Sequence, residues 1–134
     1  MFKINKKTAI GLEFIELRSS DSRTKLRLCL NKGGSVDKLT IKNITIITNL
    51  HPIPFNKCYP SSILFPFANR IKDGVYNFKN KNYKFYCNEK SANNAIHGLV
   101  YNKYFECIAE KLTTKYASIK LFYEEDKIND CFPF

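Results

Sequence analysis

Lys25-Leu26-Arg27-Leu28-Cys29-Leu30-Asn31-Lys32-Gly33-Gly34 already points to one fold class. Leu26, Leu28 and Leu30 alternate with Lys25, Arg27 and Cys29, the period-two pattern of a half-buried strand. Asn31-Lys32-Gly33-Gly34 then predicts a turn, because Asn and Gly tolerate the backbone angles that a reversal needs. Leu39 and Ile41 continue as a second strand, with Lys38, Thr40 and Lys42 on its other face. Ile44-Thr45-Ile46-Ile47 is β-branched throughout, as a pleated surface prefers.

The same period runs outward from there. Tyr76 and Phe78 share a face, Lys79-Asn80-Lys81-Asn82 predicts a turn, and Tyr83 and Phe85 return on one face; together they predict a hairpin. Phe105 to Glu110 and Ala117 to Leu121 read as a further adjacent strand pair. No segment sustains a 3.6-residue apolar period beyond about two turns. The expected fold is therefore all-β, an antiparallel partial β-sandwich built from consecutive hairpins. His51 to Asp73 differs in character: it holds Pro52, Pro54, Pro60 and Pro66, and its apolar residues do not alternate. Proline excludes it from central strands, and a long aromatic loop in an all-β domain is usually functional or packs across an open end.

Composition narrows the function classes. At 134 residues the chain fits one domain with a real core. A hydrophobic fraction of 44% argues against disorder. No apolar run is long enough to cross a bilayer, and the charged N-terminus lacks the apolar stretch of a signal peptide, so no membrane partner and a cytoplasmic location are expected. The net charge of +10 first suggests nucleic acid. Only four of the 22 basic residues are Arg, however, and bidentate recognition of phosphates and bases favours Arg. The lysines are scattered and no nucleic-acid-binding motif is present, so nucleic acid is not an expected partner. Cys29, Cys58, Cys87, Cys107 and Cys131 lie far apart with no C-x-x-C pair, which fits neither a zinc ribbon nor a disulfide scaffold. The cysteines read as core or incidental thiols, and no metal is expected.

Two segments carry chemistry. Leu64-Phe65-Pro66-Phe67-Ala68-Asn69-Arg70-Ile71, followed by Asp73-Gly74, offers an amide beside a guanidinium, able to donate several hydrogen bonds to neighbouring hydroxyls of a polyol. Asn93-Asn94-Ala95-Ile96-His97-Gly98 offers an imidazole that can exchange a proton near neutral pH. Gly98 beside it leaves room for backbone to come close to a bound group. On chemistry alone, a single Arg in an aromatic loop and a single His at a strand end are more often structural than functional.

Together, and in this order, they resemble a known family. The run from Ser61 to Glu106 is similar to the aldose 1-epimerase family: the Asn69-Arg70 pair, Asp73-Gly74 before the hairpin, Asn88-Glu89 after it, and Asn94-x-x-His97-Gly98. The Gly33-Gly34 turn and the terminal Phe132-Pro133-Phe134 match its layout too. The resemblance implies the N-terminal part of a galactose mutarotase-like supersandwich, a single domain over 1–134 that is incomplete at its C-terminus. It also implies a site for a small-molecule sugar, an aldohexose, with no cofactor. The implied reaction interconverts α and β anomers of an aldose by acid–base ring opening and closure. His97 falls where the family has a catalytic histidine near the sugar ring oxygen; Arg70 and Asn69 fall where it has substrate-binding residues. The family's second histidine, in a His-Pro-Tyr-Phe-like motif, and its general-base glutamate come later than Phe134. His51-Pro52 stands on the wrong side of Asn69-Arg70 to replace that motif, and Glu89, Glu106, Glu110, Glu124 and Glu125 receive no base role. The chain by itself is thus expected to be inactive, with strand edges open to oligomerisation or aggregation. The alternatives are a non-catalytic carbohydrate-binding protein, a hexose-6-phosphate 1-epimerase relative, and a remnant without function.

Overall fold

A computed structural model describes residues 1–125 and 131–133. Phe134, part of the Phe-Pro-Phe match, lies outside the described residues. The chain forms two compact units, Met1–Ile63 with Val100–Tyr123, and Leu64–Leu99 with Glu124–Phe134. All sheets are antiparallel, as the alternation predicts.

In the first unit β1 (Phe2–Ala9), β2 (Leu12–Ser19), β3 (Lys25–Cys29), β4 (Ser35–Ile41) and β5 (Ile44–Thr48) form one sheet in chain order. Two-residue turns, Ile10-Gly11 and Lys42-Asn43, join β1 to β2 and β4 to β5, all four residues at positive φ, so their twist matches that of the strands. Ile15 faces Leu28 and Leu17 faces Leu26 across β2 and β3; Ile15, Leu17 and Leu28 are buried, and Ile15 and Cys29 lose all exposure. Cys29 is thus a core thiol, and burial pushes its pKa up.

β4 departs from its expected faces: Thr40 is buried and Ile41 exposed. The register shifts between Arg27 and Leu28 along the β3–β4 pair and between Leu39 and Thr40 along β4–β5, and such irregularities re-aim the side chains that follow.

The strand pair expected near the C-terminus is present as β10 (Glu106–Leu112) and β11 (Ala117–Phe122). The turn after β3 anchors the segment that leads into it. Gly33 donates its N–H to the Lys103 carbonyl at 2.8 Å, and Phe105 donates to the Leu30 carbonyl at 2.9 Å. A Cβ at Gly33 would stand 2.7 Å from the Val100 carbonyl oxygen, and φ there is +64°; only glycine meets both demands.

The second unit holds β6 (Arg70–Lys72) paired with β9 (Asn94–Ile96), and the hairpin β7 (Val75–Phe78) and β8 (Lys81–Lys84). The hairpin turn is the two residues Lys79-Asn80, both at positive φ, narrower than the four expected. Tyr76 pairs with Tyr83 across it, and their rings stack at 5.3 Å. Tyr76 also stacks on Phe85 at 5.2 Å, and Phe85 meets Phe67 at 4.9 Å. Phe85 is buried, so this aromatic cluster gives the second unit apolar core of its own.

The proline-rich loop is divided between the units. Its first half carries a single helical turn, α1 (Phe55–Cys58), which sequence periodicity did not predict. Its second half supplies Phe67, Asn69 and Arg70 to the second unit. Among the described residues no helix is long and apolar enough to cross a membrane.

Candidate functional site

Arg70 opens β6 and pairs with Ile96 at the end of β9. One step beyond that pair on each strand are Asn69 and His97, both in the left-handed region at φ 63° and 64°. Asn adopts it readily. For His97 the conformation is held by neighbours. Its N–H donates to the Asn69 carbonyl at 2.9 Å, and its Nδ1 accepts the Asn69 N–H at 3.2 Å. A ring nitrogen that accepts carries no proton, so neutral His97 holds its proton on Nε2. Burial, and next the Arg70 guanidinium, push the His97 pKa below its ordinary value; Glu89 acts weakly the other way. The imidazole is therefore neutral near pH 7, with Nε2–H as a donor.

Gly98 follows at φ +73°, where a Cβ would run into the Phe65 carbonyl. Leu99 donates its N–H to that same carbonyl at 2.7 Å. The aromatic loop thus lies directly on the His97–Leu99 backbone, which fixes Asn69 against His97.

Glu89 grips Arg70. Its Nε lies 3.0 and 2.7 Å from the two Glu89 carboxylate oxygens, and its Nη2 lies 2.6 Å from Oε1. Its Nη1 donates to the Asn69 side-chain carbonyl at 3.3 Å. The Asn94 amide donates to the other Glu89 oxygen at 2.8 Å. Hydrogen bonds from Arg70, then from Asn94, hold the Glu89 carboxyl down to about 2. The neighbouring side chains complete the frame. Asn88 accepts the Ile96 N–H at 2.7 Å and donates to the Ile96 carbonyl at 2.9 Å; Asn93 donates to Asp73 at 2.8 Å.

All three residues singled out from sequence, Asn69, Arg70 and His97, therefore come together. So do the flanking Asp73, Asn88, Glu89 and Asn94. Sequence reasoning gave Glu89 no task; the sign available was its place just past the hairpin that folds residue 89 back toward residue 70. Chemically, the cluster offers a fixed fork of donors, an amide and a neutral imidazole N–H, suited to vicinal hydroxyls. Among the described residues no cluster of His, Cys, Asp and Glu could hold a metal ion. His51 belongs to the first unit, where it lines a cleft of about 410 Å³ with Phe14, Arg27, Leu50, Ile53 and Phe55.

The aldose 1-epimerase family model matches residues 26–134. YihR, an uncharacterized protein of Escherichia coli K12, is 29% identical over 68 residues, which are 51% of this chain and 22% of that protein. A galactose mutarotase-like protein from Clostridium acetobutylicum is similar in structure with a TM-score of 0.77 and 25% identity, over 96% of this chain and 40% of that one. Galactose 1-epimerase from Lactobacillus acidophilus NCFM shares the fold with a TM-score of 0.66 and 17% identity, over 94% of this chain and 39% of that one. The chain thus spans about two fifths of the length of these solved structures.

Proposed function

The chain belongs to the aldose 1-epimerase family, and on that premise we propose that Asn69, Arg70 and His97 form the sugar-binding part of a site for interconverting α and β anomers of an aldohexose. The observation that supports it most is the His97–Asn69 pairing, which leaves the imidazole neutral with its proton on Nε2. In this reading Nε2–H donates to the sugar near the ring oxygen. The Arg70 fork and the Asn69 amide orient the hydroxyls. Anomer exchange requires a base to take the proton of the anomeric hydroxyl while an acid protonates the ring oxygen. The C1–O5 bond breaks, the aldehyde rotates about C1–C2, and closure on the other face returns both protons. The reaction is redox-neutral, so acid–base groups suffice.

His97 supplies one polar contact to that scheme, and no glutamate has a base role in it: the Glu89 carboxylate is committed to Arg70. We therefore propose that the 134-residue chain alone binds an aldose without appreciable turnover, since each missing acid–base group costs about 10² to 10⁴ in rate. Polarimetry on freshly dissolved α-D-galactose or α-D-glucose tests this beside an NMR titration with the same sugar. Binding with a mutarotation rate equal to buffer is expected. Protein-dependent mutarotation well above buffer would contradict the division of labour, and absence of binding would contradict the site.

A further inference from the structure

We propose that Glu89 is a positioning residue of the sugar site: it sets the plane of the Arg70 guanidinium, so that the fork is already aimed when a sugar arrives. This rests on the reading of Asn69, Arg70 and His97 as the sugar-binding cluster and adds to it a residue that does not touch sugar.

Arg70 is a long side chain, half exposed on a three-residue strand, and left alone it would sample many rotamers. The bidentate grip on Nε and Nη2 fixes both the direction and the roll of the guanidinium, which a single contact cannot do. Glu89 can act as the fixed jaw because it is itself held. Its backbone N–H donates to the Asn94 carbonyl at 3.0 Å, the Asn94 N–H returns to the Glu89 carbonyl at 3.2 Å, and the Asn94 amide holds Oε2 at 2.8 Å. The Glu89 side chain is only 20% exposed. Asn94 lies on β9, three residues before His97. One carboxylate thus ties the strand that carries Arg70 to the strand that leads into His97, so guanidinium and imidazole keep a fixed relation. Glu89 also offsets the charge of Arg70, leaving a directional donor for neutral hydroxyls.

The test compares the whole chain with Glu89→Gln, Arg70→Lys and the double variant, with D-galactose as ligand. Glutamine keeps the size and the Asn94 contact but loses the charge-assisted pair. Two readouts are taken: the Arg70 Nε–H resonance in ¹⁵N NMR, and the D-galactose Kd. The parent is expected to show a sharp, exchange-protected Nε–H that broadens or vanishes in Glu89→Gln. The Kd should rise about tenfold in Glu89→Gln, and Glu89→Gln should weaken binding no further once Arg70→Lys is present, while the remaining amide spectrum stays unchanged. If Glu89→Gln binds like the parent while Arg70→Lys is weakened, the positioning role is wrong and the sugar site stands. If Arg70→Lys binds like the parent, or the parent gives no shifts with D-galactose, the sugar-site reading fails and takes this role with it. An Arg70 Nε–H already averaged in the parent also overturns the proposal.

Discussion

His97 and Asn69 close a ring of two hydrogen bonds, the His97 N–H to the Asn69 carbonyl at 2.9 Å and the Asn69 N–H to the His97 Nδ1 at 3.2 Å. The second bond requires an unprotonated Nδ1, so the same contact that shapes the backbone also sets the tautomer.

A titration follows from it. The folded pKa of His97 lies below its unfolded value, so its contribution to stability is complete above the ordinary imidazole pKa of 6.5 and is lost as pH falls through the folded value. Urea unfolding should show a midpoint that declines across this window in the parent and stays flatter in His97→Asn, whose side-chain carbonyl can still accept the Asn69 N–H. Arg70 and Lys6 hold the Glu89 and Glu110 carboxyls below 4.5. Long-range ¹H–¹⁵N spectra of the imidazole should report the Nε2–H tautomer; a proton on Nδ1, or a pKa above 6.5, would refute the assignment.

Gly98 sits where any side chain meets the Phe65 carbonyl, at a positive φ. Gly98→Ala should destabilise the chain by about 1 kcal/mol or more, measured by urea unfolding. A change smaller than about 0.3 kcal/mol, well below the usual cost of Ala at positive φ, would show that the loop does not press on this backbone.

The two outer strands of the five-stranded sheet differ in protection. β1 exposes Lys3, Lys6 and Lys7, whereas β5 exposes Ile44 and Ile46, at 65% and 56%, and carries no charge. Uncharged β-branched edges invite strand addition. Sedimentation velocity should show self-association of the parent that Ile46→Lys reduces. A parent that stays monomeric at all concentrations, or association indifferent to this change, would sink the idea.

The alternation of Leu26, Leu28 and Leu30, and of Tyr76, Phe78 and Tyr83, was enough to read the antiparallel class, because side-chain period follows directly from strand geometry. The faces of Thr40 and Ile41 were not readable, since register shifts depend on the partner strand. β6 and β9 have three residues each, too few to show a period, and α1 is one turn long. The members of the candidate site were legible as residue types in order. Their joint was not: Glu89 meets Arg70 across 19 residues, a contact that only the folded hairpin creates.

The central claim is that the Asn69–Arg70–His97 cluster is where a sugar binds. Its most direct test is a ¹H–¹⁵N titration of the whole chain with D-galactose, following the amides of Asn69 and His97, the Arg70 Nε–H and the His97 Nε2–H. Saturable shifts concentrated on these signals are expected. Shifts that instead gather around His51 and Phe55 at the first unit's cleft, or no saturable shifts at all, would contradict it.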